Sequence, residues 1–152
     1  MSTGFERVGR DTRLQDHWIR RLVAFIIDSI IVGIGTSIIV AIITIPFHFF
    51  TFPFFAGVLS ILYFALLEFY YGWTVGKKIM NLKTIELGGH RPALDLAFIR
   101  NISKIYWILV LIDVIIGLAT PGDPHQKISD RMAGTTVVSR TAPPLPPPPP
   151  TP

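Results

Sequence analysis

The sequence contains no cysteine and little charge. Without cysteine the chain has no disulfide framework, no thiolate catalysis and no Cys-ligated zinc or iron–sulfur cluster. Only 16% of its residues are charged and 50% are hydrophobic, whereas about a quarter are charged in ordinary soluble domains. A chain of 152 residues has too little interior to hide so much apolar side chain. We therefore expect a surface that faces lipid.

Metal-ligand spacing and nucleic-acid patterning are also missing. The four histidines, at positions 17, 48, 90 and 125, form no His/Cys/Asp cluster with i, i+3 or i+4 spacing. The formal net charge is +4, but the bases flank apolar runs instead of alternating with aromatics, which is typical of membrane topology and not of nucleic-acid binding. Because no nucleophile–base–acid arrangement can be assembled, we expect no enzyme activity, cofactor or metal.

Two long apolar runs predict transmembrane helices. Residues 22–45 contain one charge, Asp28; at about 1.5 Å per residue they reach about 36 Å, more than the hydrocarbon thickness of about 30 Å. Residues 54–71 contain one charge, Glu68. The uncharged aromatic link between Pro46 and Pro53 predicts a tight turn at the far interface.

Positive charge predicts the orientation of this helical pair. Five bases precede the first run, six lie in the loop at 72–104, and the link between the runs has none. Because basic loops stay in the cytoplasm, we expect the N-terminus and the loop at 72–104 on the cytoplasmic side of the cell membrane. The polar, basic leader at 1–19 has no apolar run able to bury itself and is expected to be flexible or interfacial.

A third hydrophobic helix is expected at about 102–119. Its uncharged stretches are short, and Asp113 lies near their centre. Residues 105–119 reach only about 22 Å as a helix, so the segment spans, tilts or re-enters. The bases that follow it favour a cytoplasmic C-terminal segment. Residues 135–138 predict a strand that could pair with one at 83–87 in a short cytoplasmic β-hairpin.

The predicted fold class is therefore an all-α membrane protein, a small multi-pass bundle of two clear spans and a shorter third hydrophobic helix. The domain at 20–138 is followed by a proline-rich tail at 141–152, for which polyproline II and disorder are expected. The tail is either a stiff solvated arm or a ligand for a proline-binding domain.

Acids within the apolar runs require a physical reason, because an aspartate at a membrane helix centre costs about 2.5–3.5 kcal/mol. The acids are Asp28, Glu68 and Asp113. Each either binds a cation or proton, or is neutralised by protonation or a basic partner and stabilises helix packing; Glu68 lies close enough to the helix end to snorkel to water. Arg21 lies two turns before Asp28, so both can address one partner helix.

The first helix also carries a ladder of small residues at four-residue spacing, Ser29, Gly33, Ser37 and Ala41. Such a ladder lets another helix approach closely. Asp28 borders the ladder, so we expect its carboxyl group to face protein. Because two or three helices cannot enclose a pathway, we also expect a homo-oligomer or a complex with other membrane proteins.

Four short motifs occur in a fixed order, Arg20-Arg21-x-x-Ala24-x-x-x-Asp28, Glu68-x-x-x-Gly72-x-Thr74-x-Gly76-Lys77, Arg100-Asn101 and Gln126-x-x-x-Asp130-Arg131-x-Ala133-Gly134-Thr135. From about residue 20 to 138 the chain resembles the RDD family of small integral membrane proteins. The resemblance implies that Arg21 and Asp28 are the family's arginine and first aspartate. The second is Asp113 or Asp130, and the neighbours of Asp130 match better. It also implies transport of ions or small solutes, with some members linked to sodium–proton exchange.

Two functions follow from these observations. In the first, the protein is a transport component in which Asp28 binds a proton or sodium ion and Arg21 tunes that acid. In the second, it is a non-catalytic membrane adaptor, whose basic loop, segment 126–138 and proline-rich tail recruit partners. The resemblance favours transport.

Overall fold

The computed structural model describes residues 3–43 and 51–141. These residues form seven α-helices, a 3₁₀ segment and two β-strands, with the bounds α1 Gly4–Arg10, α2 Thr12–Ile43, α3 Thr51–Tyr71, α4 Val75–Ile79, β1 Leu82–Glu86, α5 Leu94–Asn101, the 3₁₀ segment Ile102–Ile105, α6 Trp107–Ala119, α7 Ile128–Met132 and β2 Thr135–Ser139. Most of the expected interfacial turn and of the proline-rich tail lies outside the described residues.

Helices α2 and α3 confirm the two expected spans. Both are long and apolar enough to cross a membrane, over Thr12–Ile42 and Phe52–Tyr71. At about 1.5 Å per residue the 32 residues of α2 extend about 48 Å, so one end projects beyond the hydrocarbon layer. Helix α3 includes Pro53 in its first turn, where a proline is tolerated because that N–H would have no helical partner.

The leader is helical, so the expectation of a flexible segment is wrong. Thr3 and Glu6 form a capping box that starts α1, and the Asp11 carboxylate accepts a hydrogen bond from the Arg13 amide at the start of α2. A Cβ on Gly4 would lie 2.6 Å from the carbonyl oxygen of Leu118. Helix α1 therefore packs closely against the end of α6. The sequence does not predict this long-range contact, because the leader contains no apolar run.

The third hydrophobic segment is broken: residues 102–105 belong to the 3₁₀ segment, and the expected third helix, α6, begins at Trp107. Its helical parts meet at Tyr106 with a bend of 113°, and Tyr106 itself is extended. At the break the chain packs closely against α3, because a Cβ on Gly57 would lie only 2.3 Å from the Ile105 carbonyl oxygen. Helix α6 then turns back toward the side from which α5 came.

The two strands pair as expected, although they are far apart in sequence and not joined by a local turn. They are antiparallel, with Leu82 opposite Ser139 and Glu86 opposite Thr135. Hydrogen-bonded strands must lie on the same side of a bilayer. The segment between them, α5 to α7, therefore enters and leaves on one side, which selects re-entry from the alternatives that the sequence left open.

The small-residue ladder does not pack against another helix within the described chain. Ser29 and Ser37 are exposed, and a Cβ on Gly33 would meet nothing within 4 Å. The buried face of α2 instead repeats Ala24, Asp28, Val32 and Thr36. Asp28 faces protein, as expected, but it does so on this buried face of α2 and not beside a packed ladder.

Replacing Gly57 with Ala tests the close approach of the re-entrant segment to α3. The added methyl group would overlap the Ile105 carbonyl, so we expect the free energy of unfolding in detergent to fall by about 1–3 kcal/mol. The matched control is Gly35→Ala, whose methyl group has open space and which should leave stability unchanged or raise it by up to about 1 kcal/mol. Equal losses in both variants would contradict this packing.

Candidate functional site

Asp28 lies at the junction of α2, α3 and α4 with no exposed surface. Its Oδ1 accepts hydrogen bonds from the Tyr63 hydroxyl and from the Gly76 amide, both at 2.8 Å. Its Oδ2 accepts one from the Thr74 hydroxyl at 2.5 Å. Three donors from two neighbouring elements thus fix the carboxylate.

The turn after α3 brings these donors to Asp28. Gly72 has a φ of 76°, a left-handed conformation that favours glycine, and it reverses the chain at the end of α3. Thr74 then caps α4. A Cβ on Gly76 would lie 2.1 Å from the Ala24 carbonyl oxygen, so only glycine lets α4 approach α2 closely enough for its amide to reach the carboxylate.

Asp28 differs from the other buried acids in having no basic partner. Among residues 3–43 and 51–141, Glu68, Asp113 and Asp130 each form an ion pair with a lysine or arginine, but Asp28 forms none. Arg21 contacts Asp130 and the His125 carbonyl. The expectation that Arg21 and Asp28 contact one partner helix is therefore wrong. Asp28 contacts the start of α4, and Arg21 contacts α7 and the residue His125 before it.

A chain of ion pairs lies beside the Asp28 site, and we call it the ionic chain. It runs Lys77, Glu68, Arg100, Asp130, Arg21. Glu68 contacts Lys77, and its second oxygen lies 3.2 Å from Arg100 Nε. Arg100 Nη2 lies 2.9 Å from Asp130 Oδ1, and Arg21 Nη2 lies 2.6 Å from Asp130 Oδ2. Five helices, α2, α3, α4, α5 and α7, are linked by these contacts.

Burial and neighbouring charge set the ionisation of the ionic chain. Burial lowers the pKa of Lys77 to about 8, although Glu68 beside it acts in the opposite direction. Burial alone would raise the pKa of Asp130, but the Arg100 and Arg21 guanidinium groups outweigh it and hold that pKa well below its usual value. Glu68 has no exposed surface and also accepts from the Asn101 amide at 2.9 Å. It does not snorkel.

Asp113 anchors the re-entrant segment to α7, next to the ionic chain, because its partner Lys127 also donates to the Arg100 carbonyl at 2.9 Å. It pairs with Lys127, whose pKa is lowered by burial. The Ser103 hydroxyl and the Ser129 amide donate to it at 2.8 and 2.7 Å. Gly117, one turn further along α6, lies where a Cβ would meet Lys127 Cα at 2.7 Å. Asp113, which the sequence places near the centre of the third hydrophobic helix, thus holds α6 against α7.

Several site residues were not predicted as such from the sequence. Lys77, Arg100 and Lys127 count as topology signals there, yet each is buried in an ion pair. Tyr63 lies inside an apolar run and outside the four motifs, so nothing in the sequence marks it. The available signal was the set of ordered motifs, because Thr74, Gly76, Lys77 and Arg100 lie inside them. Within the described residues no group of three or more His, Cys, Asp or Glu side chains is arranged to hold a metal ion.

One family of known proteins matches this chain over the whole of the site. The sequence model of the RDD family matches residues 16–134, a range that includes Asp28, its three donors and the complete ionic chain. No curated protein and no solved structure matches the chain.

Replacing Asp130 with Asn tests whether the ionic chain stabilises the fold. The change leaves Arg100 and Arg21 without their shared carboxylate, so we expect the free energy of unfolding in detergent to fall by about 3–5 kcal/mol at neutral pH. In the parent, the unfolded chain protonates Asp130 below about pH 4 while the folded chain keeps it charged; stability should therefore fall as the pH drops below that value. The variant should show a shallower acid loss, and an unchanged acid profile would contradict the assignment.

Proposed function

This chain belongs to the RDD family of membrane proteins, and on that premise we propose that it is a transport component for a proton or small cation, with Asp28 as the intramembrane site. The observation that carries the proposal is the environment of this acid. Asp28 is buried among hydroxyl and amide donors and has no basic partner in the described part of the chain.

The groups around Asp28 suit a proton or a hard cation. A carboxylate and the hydroxyl oxygens of Tyr63 and Thr74 are oxygen ligands of the kind that alkali and other hard cations prefer. Hydroxyl groups rotate, so each can donate to the carboxylate or turn a lone pair toward a cation. The site can thus exchange its charge without moving the backbone.

The ionic chain has a different role in this proposal. Its acids already hold lysine or arginine, so they are not free to take up a second cation. Lys77 lies next to Gly76, which donates to Asp28. We therefore assign Glu68, Asp130 and Arg21 to holding α4 and α7 in place. In this proposal Arg21 does not tune Asp28 directly, because it contacts Asp130; it acts only by stabilising the fold around the site.

Oligomerisation is part of the proposal. The bilayer is the first partner, because α2 and α3 expose most of their apolar side chains. The outward ladder of Ser29, Gly33, Ser37 and Ala41 gives a second copy, or another membrane protein, a surface for close approach. Such an assembly would enclose the pathway that this chain cannot enclose alone.

A membrane adaptor is the second candidate, and one observation favours it. A cavity of about 640 Å³ lies between the start of α2 and β2. The amides of Thr84 and Glu86 in β1 donate to carbonyls outside the sheet and not to β2. In an antiparallel pair, opposite residues either bond each other or both face outward, and this alternates along the strands. The backbone groups of Val137 and Ser139, which pair with Thr84 and Leu82, therefore face away from β1. Val137 and Ser139 line the cavity, where an extended peptide could pair with the strand.

Flux measurement with Asp28→Asn tests the transport proposal. A neutral amide cannot exchange a charge with a proton or cation, so we expect proton or sodium flux in proteoliposomes to fall at least about tenfold. Tyr63→Phe removes one oxygen ligand and should raise the cation concentration needed for half-maximal flux.

The matched control is Asp16→Asn, which removes an exposed acid from the same helix and should leave flux unchanged. Flux that persists in Asp28→Asn, or a parent without flux for either ion, would contradict the transport proposal and leave the adaptor as the better account.

We also propose that the N-terminus, the loop at 72–104 and β2 lie in the cytoplasm, because the bases concentrate there. Single cysteines introduced at His90 and Ser139, in a chain without native cysteine, should react with an impermeant thiol reagent only after cells are opened. A cysteine at Thr51, where α3 begins, should react in intact cells. Labelling of His90→Cys and Ser139→Cys from opposite sides would contradict re-entry.

A further inference from the structure

Three bases surround the aromatic end of α3. We call this group, Trp73 with Lys78, Arg91 and Arg140, the boundary cluster. Lys78 Nζ and Arg140 Cζ lie 4.6 and 5.5 Å from the centroid of the Trp73 ring. The Arg91 guanidinium donates to the carbonyl of Tyr70 at the end of the same helix. Three separate segments of the chain thus bring positive charge to one place.

The bases of the boundary cluster are not paired with acids in the described part of the protein. Lys78, Arg91 and Arg140 are all exposed, and within the described ranges none of them forms an ion pair with an acid. By contrast, Lys77 and Arg100 of the ionic chain are buried, Arg21 is partly buried, and all three are paired with acids. The charge of the boundary cluster is therefore available to a ligand outside the protein.

The side chains around the cluster are typical of the level of the lipid headgroups. The apolar helix α3 ends at Tyr71, and Tyr70 and Tyr71 are 60% and 56% exposed, as is typical of aromatic side chains at a membrane–water interface. Ile79, next to Lys78, is 62% exposed and provides an apolar contact on the same short helix.

We propose that the boundary cluster binds the phosphate group of an anionic phospholipid. Lysine and arginine donate charge-assisted hydrogen bonds to phosphate oxygens, and the aromatic and isoleucine side chains can pack against the glycerol and upper acyl carbons. A lipid of net negative charge is favoured because no acid of the protein neutralises the three bases. This site is independent of Asp28 and of the proposed transport.

Native mass spectrometry of the detergent-solubilised full chain tests this proposal. The protein is titrated with phosphatidylglycerol or with phosphatidylcholine of the same chain length, and the lipid-bound fraction is measured. We expect phosphatidylglycerol to bind more tightly to the parent chain. Because each base near a membrane surface contributes about fivefold, the double variant Lys78→Gln/Arg140→Gln should lose about 25-fold of that affinity.

The matched control is Arg7→Gln/Arg10→Gln, which removes the same charge from exposed positions of α1 and should keep the preference. Unchanged unfolding midpoints in both double variants show that folding is not the cause. Equal binding of the two lipids by the parent, or a preference that survives Lys78→Gln/Arg140→Gln, would overturn the proposal. Displacement of phosphatidylglycerol by millimolar inorganic phosphate would assign the cluster to the free ion and overturn the lipid site.

Discussion

The cost of burying charge is the constraint on which this structure depends. Glu68 and Asp130 have no exposed surface, and Arg100 lies between them with almost none. An unpaired ion in such surroundings costs several kcal/mol, so each acid requires its bases in place. Because those bases come from α2, α4 and α5, the pairing allows few arrangements of the helices. Removing any one member is costly, because it leaves a charged partner buried and uncompensated.

The same constraint separates two kinds of buried acid. Glu68, Asp113 and Asp130 are compensated by fixed cations, and their charge belongs to the scaffold. Asp28 is compensated only by dipoles, from two hydroxyl groups and one amide. Among the described residues Asp28 is the buried acid without a fixed cation, and the proposed transport role rests on this contrast.

Local patterns predicted the elements of this fold, and long-range contacts decided the rest. Hydropathy predicted α2 and α3, and β-propensity predicted the paired strands. The motifs of the family placed Arg21, Asp28 and Asp130 among the site residues. The break at Tyr106 could not be predicted from the sequence, because no proline or glycine marks it and it lies where Ile105 packs against the distant Gly57. Charge counting treats Arg100 and Lys77 as topology signals, because it does not distinguish a buried base from an exposed one.

The partnership of Arg21 with Asp130 joins the first membrane helix to a segment more than a hundred residues later. During translation the ribosome releases α2 and α3 long before Asp130, β2 and Lys127 emerge. Until then Arg21 and Asp113 lack their ionic partners, and Arg100 has only Glu68. Because an unpaired buried charge costs several kcal/mol, the native packing of the earlier helices can be completed only after the last segment has emerged, and a chain that ended before Lys127 would leave these charges uncompensated.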